Sequence, residues 1–492
     1  AFRQDSFIDP ATGQPIPFAE RVTSGLGVGV PGTLRTWQRA IARFGTLPLA
    51  ELLRPAIRAA ADGFVVDQTF HDQTAANADR FRAIVPTREL FLPGGAPPPV
   101  GSTFRNPDLA RTYRLLARTG GRAFYQGGIA EAMVDTVRHP PVAPEATIPV
   151  RPGLMTRADL AGYRTVDRAP TRVGYRGWRV LGMGPPSSGG STVGEALNIL
   201  EGFDLAGESR TRALFHYLEA SRLAFADRNR WVGDPDHVEV PLRGLLSQGF
   251  ADERRCLIGE RANASPVPPG EPFPPFGPGC PAGGVKVGAT TERQGTSHLT
   301  VADRWGNVVS YTLTIEQTGG SGIVVPGHGF LLNNELTDFN PVPLFPGVPD
   351  PNLPAPGKRP RSSMSPTIVL ADGRPVVALG SPGGATIITT VLQVLVEHLD
   401  RGRSLPAAIA APRASQRNSD PGDAEPAFLA GPDVAALRAL GEQFREAPTT
   451  PPLPPEIGAA TGIAFLGRGV LQAAAEPARR GGGSALVVHP TP

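Results

Sequence analysis

Cysteine is nearly absent: Cys256 and Cys280 are the only two among 492 residues. With no histidine beside them they make a poor metal site. They flank a Pro/Gly-rich stretch, so a bridge would close a loose loop in an oxidising compartment, whereas in a reducing one they would stay two thiols; the residues allow both. Long apolar runs are missing, none approaching the ~18 residues of a membrane span. The opening Ala1-Phe-Arg-Gln-Asp resembles no signal peptide and reads as mid-protein, with a targeting segment expected upstream. Charge of one sign is also lacking, since 48 Lys and Arg face 45 Asp and Glu. The absence of a polybasic tract excludes the usual footprint of a nucleic-acid partner. No internal repeat of fixed period occurs.

Gly (59) and Pro (55) are plentiful, yet 40% of the residues are hydrophobic, which fits a folded, loop-rich protein rather than a disordered one. The length allows two or three domains or one large layered domain. Apolar residues recur every three or four positions over residues 34–44, 107–117 and 211–228, which predicts helices, and from there to 290 the chain reads as loop. After Thr296 the period changes. Residues 297–302 and 308–314 alternate and are rich in β-branched side chains, with a turn sequence at 303–307, so they predict a hairpin. Strands are expected at 365–370 and 376–379, and a helix after Gly383 and Gly384. A helix-rich first part followed by a sheet that begins at a threonine predicts an α+β arrangement.

The junction of Gly295 and Thr296 is where chemistry is expected. A threonine whose own α-amino group has been freed carries nucleophile and general base on one residue, because that amine titrates near about pH 8 and lies beside its hydroxyl. Taken alone, Gly-Thr before Ser-His-Leu-Thr-Val is only the start of a half-buried strand. Four further stretches give it context: Thr312-Leu-Thr-Ile-Glu316, residues 329–339 (GFLLNNELTDF), residues 358–367 (KRPRSSMSPT) and residues 380–390 (GSPGGATIITT). With Thr296 they resemble the γ-glutamyltransferase family, self-processing N-terminal-nucleophile hydrolases that cleave γ-glutamyl amides such as glutathione. The resemblance extends through residues 185–190 (PPSSGG) and 227–236 before the junction and Ala411-Pro-Arg413 after it.

The resemblance implies a four-layer αββα sandwich. Residues 1–295 would form a large-subunit region, whose amino-terminal part is expected to be missing, and residues 296–492 a small-subunit region. Self-cleavage between Gly295 and Thr296 would leave the two associated. Thr296 would be the nucleophile, Thr314 would hold its hydroxyl, and the backbone N–H groups of Gly383 and Gly384 would face the oxyanion. Arg3, Ser362 and Ser363 would anchor the substrate α-carboxylate, and Glu335 and Asp338 would receive its ammonium. No cofactor or metal is implied. The partners would be a γ-glutamyl donor and water, an amino acid or a peptide as acceptor, and the location extracytoplasmic.

Three departures from the family pattern stand out. Glu316 occupies a position where the family commonly has asparagine, which puts a third carboxylate beside Glu335 and Asp338. The usual continuation after Arg3 is missing, and residues 340–357, a lid in some relatives, are short and proline-dominated, which predicts poor cover of the site. The alternatives are a cephalosporin or glutaryl amide acylase on the same fold, for which Glu316 and the altered lid speak, and a binding protein that never matures.

Overall fold

The structure, a computed structural model, describes residues 2–277, 295–345 and 347–488. Cys256 is disulfide-bonded, and Cys280 lies outside the described residues. The helices expected from apolar spacing form as α1 (Thr33–Phe44) and α2 (Pro107–Thr119), followed by α3 (Gly128–Arg138). Asn106 sets the start of α2, its side chain accepting from the N–H of Leu109 at 2.9 Å just before a proline in the first turn. Three further helices, α4 (Gly189–Leu200), α5 (Arg210–Trp231) and α6 (Thr386–Leu395), are buried over most of their length.

These last helices lie on a six-stranded antiparallel sheet. Its strands are β1 (Thr171–Tyr175), β2 (Trp178–Gly182), β5 (Thr367–Ala371), β6 (Arg374–Gly380), β7 (Thr461–Gly467) and β8 (Val470–Ala475), in the order β8-β7-β6-β5-β2-β1. Val173, Tyr175, Val180, Val369 and Val377 point from the sheet into a core shared with α4, α5 and α6. The hairpin of β3 (Thr296–Ala302) and β4 (Val308–Thr314) covers the opposite face. There Ser310 donates to the carbonyl of Leu379 at 3.1 Å, and the His298 ring packs on Gly380. On the hairpin's outer side the Trp37 indole of α1 donates to the Tyr311 hydroxyl at 3.2 Å, which brings the helix-rich first part against it. The order helix, sheet, sheet, helix is therefore realised as an α+β fold. The outer layer is thin, leaving Leu299, Val301 and Val309 at 43%, 54% and 53% exposure.

Two expectations need correction. The sheet does not begin at Thr296: β1 and β2 precede the junction, and their signal was an alternation that buries Thr171, Val173 and Tyr175. The stretch after α5 is not all loop, since Gln248–Arg255 is a helix capped by Ser247 that buries Phe250 and Ala251. Among the described residues no helix is long and apolar enough to cross a membrane.

Candidate active site

Strand register places the two central hydroxyls. Thr296 opens β3 and Thr314 closes β4 directly opposite it. Thr296, only 8% exposed, donates its hydroxyl to Thr314 Oγ1 at 3.0 Å, and the same oxygen accepts the N–H of Glu316 at 2.8 Å. The chain before the junction is confined, because a Cβ on Gly295 would lie 1.9 Å from the carbonyl carbon of Gln317. That carbon belongs to backbone that cannot swing aside. Gln317 N–H is held by Asn334 Oδ1 at 3.1 Å, and Arg80 donates to the carbonyls of Thr318 and Gly320.

Next to the hairpin, β6 runs into a tight turn before α6. Gly383 has φ 145°, a conformation closed to other residues without strain, and a Cβ there would meet Thr386 Oγ1 at 2.6 Å. Gly384 faces the cavity just ahead of α6, at the helix end whose dipole favours developing negative charge.

Thr296, Thr314 and Gly384 line one cavity together with Glu316, Glu335 and Asp338. Ser362, Ser363, Met364 and Ile387 complete it. Glu316 is 4% exposed and sits at φ 73°, a sparsely populated conformation for a non-glycine residue. Asn334, fully buried, fixes it by donating to its carboxylate and to Thr337 Oγ1, while the Asn334 backbone N–H bonds the Ile315 carbonyl at 3.2 Å. Arg21, stacked over Phe7 and Phe18, lies close enough for Glu316 to favour its charge; burial outweighs this and pulls the guanidinium down to about 10.

The serine pair is supported from behind. Ser188 N–H and Oγ donate to the Ser362 carbonyl at 2.8 and 2.7 Å, and Ser187 Oγ donates to the Met364 carbonyl at 2.6 Å, so the PPSSGG motif serves to hold this strand. Buried Arg228 donates to Ser363 Oγ and Ser188 Oγ, each at 2.7 Å. Arg361 binds the carbonyls of Arg228, Asn229 and Val232 at the carboxy end of α5. Arg228, Arg361, Asn334 and Arg21 were not singled out from sequence. A buried arginine in a helix looks the same in sequence as a solvated one.

Of the residues expected at the site, Gly383 adjoins the cavity and Arg3 is not brought to it: the Arg3 side chain is 76% exposed and pairs with Asp5 at 3.5 Å. Among the described residues no group of three or more His, Cys, Asp or Glu is arranged to hold a metal ion.

Comparisons with known proteins agree with this architecture. The family profile described as gamma-glutamyltranspeptidase matches residues 1–486. A glutathione hydrolase proenzyme of Bacillus subtilis strain 168 is 40% identical over 412 residues, which are 83% of this chain and 67% of that protein. An acylase ACY 1 proenzyme of Pseudomonas sp. strain SE83 is 38% identical over 398 residues, 80% of this chain and 65% of that protein. The crystal structure of a cephalosporin acylase from Bacillus halodurans superposes with a TM-score of 0.79 at 30% identity, covering 96% of this chain and 81% of that one. With a profile match along nearly its whole length and relatives of this identity, the chain belongs to the γ-glutamyltranspeptidase family.

Proposed function

We propose that the chain is a precursor that cleaves its own Gly295–Thr296 bond and then acts as a γ-glutamyl hydrolase and transferase with Thr296 as nucleophile. The observation that carries this reading is the convergence on one cavity of a hydroxyl pair, a glycine turn, three carboxylates and two serines from separate stretches of chain. In the precursor the Thr296 hydroxyl attacks the carbonyl of Gly295, breaking the peptide C–N bond frees the Thr296 amine and leaves an ester, and hydrolysis of that ester releases the Gly295 carboxylate and restores the Thr296 hydroxyl. In turnover that amine takes the hydroxyl proton, Oγ1 attacks the γ-amide carbonyl, and the oxyanion is held by N–H groups at Gly383 and Gly384. The leaving amine departs with the proton. Water then completes hydrolysis of the γ-glutamyl ester, or an amine acceptor completes transfer. Glu335 and Asp338, with Glu316, suit the substrate ammonium, and Ser362 and Ser363 its carboxylate.

A glutaryl or cephalosporin acylase is the second reading, favoured by the likeness to acylases. A glutaryl acyl group differs in needing no ammonium site. The disulfide at Cys256 supports an oxidising, extracytoplasmic location. Intact mass after purification, with and without Thr296→Ala, tests maturation: chain length gives pieces of about 31 and about 21 kDa for the native residue and one uncut chain for the variant. Cleavage of γ-glutamyl-p-nitroanilide in preference to glutaryl-p-nitroanilide separates the two acyl specificities.

A further inference from the structure

The segment between Asp338 and Ser362 reads in sequence as a poor lid, but its buried polar groups are arranged as a spacer. Asn352, 1% exposed, sits midway along it. Its Nδ2 donates to the carbonyl of Asp338 at 2.7 Å, and its Oδ1 accepts from the N–H of Arg361 at 2.8 Å. One carboxamide thus bridges the residue that would bind the substrate ammonium and the residue next to the serine pair that would bind the carboxylate. The bridge is itself braced. Asp350 accepts from Asn352 N–H at 2.7 Å, from Leu344 N–H at 2.9 Å and from the Asn340 amide at 2.9 and 3.0 Å, and Asn340 N–H bonds the Asn352 carbonyl at 3.0 Å. An α-amino acid presents its ammonium and carboxylate at a fixed separation, so a site that reads both needs its two walls held at a matching distance.

We propose that Asn352 is a positioning residue for donor specificity, setting the spacing between the ammonium-binding and carboxylate-binding walls without touching the substrate. This rests on the γ-glutamyl reading given above. Asn352→Asp is isosteric, keeps the acceptor for Arg361 and turns the donor facing the Asp338 carbonyl into a repelling oxygen. The KM for γ-glutamyl-p-nitroanilide is expected to rise about tenfold with kcat within about twofold, as the loss of one hydrogen bond of this kind would give. Self-cleavage and the KM for glutaryl-p-nitroanilide, which has no ammonium, stay as in the native protein. Asn352→Ser, which removes both bridges without adding charge, must show the same split if the aspartate variant does not accumulate. An unchanged KM for the γ-glutamyl substrate overturns the proposal. So does an equal loss on both substrates with a lowered Tm, which would mark a merely structural role. A native protein that matures but cleaves neither substrate would instead overturn the underlying functional reading.

Discussion

The wall of the cavity that carries Thr296, Thr314 and Gly384 is made of regular backbone, whereas the wall that carries Glu316, Asp338 and the serine pair hangs on buried side chains. On the first, strand register sets the hydroxyl pair and a turn into α6 sets the glycine N–H groups. On the second, Asn334, Asn352, Arg228 and Arg361 each tie a loop in place through two or more hydrogen bonds. Register is fixed by many cooperative bonds and tolerates single changes nearby. A polar tie is one group, and its loss leaves its partner buried and unsatisfied, at about 1–3 kcal/mol. The contrast implies that changes on the backbone wall alter chemistry, while changes on the polar wall alter recognition.

The largest effect tests the first half of that statement: Thr296→Ala is expected to abolish both self-cleavage and turnover, read by intact mass and anilide release, and detectable turnover in the variant would break it. Gly383→Ala comes next. Its φ of 145° and the contact with Thr386 should displace the N–H groups and lower kcat by roughly 10²-fold, about 3 kcal/mol in the barrier, with little change in KM. Gly295→Ala sharpens the comparison by separating maturation from turnover. A methyl group pressed against the Gln317 carbonyl should slow precursor cleavage by about tenfold or more, the ~1.4 kcal/mol that each factor of ten represents, while turnover per matured site stays native. For the polar wall, Arg228→Lys keeps the charge but loses the forked contact to Ser188 and Ser363, so KM should rise about tenfold with kcat less affected. A kcat defect larger than the KM defect would erase the distinction between the walls.

The last effect is on stability rather than turnover and concerns the inner face of the hairpin below Thr296. His298 shares hydrogen bonds with the hydroxyls of Thr312 and Thr300 at 2.8 and 3.1 Å, and burial pulls its imidazole down to about 4. The unfolded chain takes up this proton near its ordinary pKa of about 6.5, so between pH 6.5 and 4 the unfolded state binds more protons and stability falls as pH falls. The urea midpoint of the native protein should drop over that window, and His298→Gln should flatten the drop. An unchanged slope would mean that His298 is charged in the fold.

Residues 296–314 illustrate what was legible in advance. Alternation and a turn sequence are local, and they predicted the hairpin to within one residue, whereas the facing of Thr296 and Thr314 was expected only from the family resemblance. The helices of residues 33–44, 107–119 and 210–231 were equally local. Strands β1 and β2 were missed because their five residues each carry a short alternation that only pairing with β5 makes meaningful. Arg3 shows the reverse failure: its place in a motif said nothing of where the side chain would lie.

The order of residues alone therefore determined the hairpin and the glycine turn before a buried helix, because each depends on neighbours within a few positions. The tertiary structure decided which charges meet. Glu316 comes beside Asn334 and Arg21, Arg228 comes behind Ser363, and Asn352 spans the gap between Asp338 and Arg361. Those contacts join residues from 9 to 295 positions apart, and burial, which gives a single hydrogen bond its weight, exists only once the layers have packed.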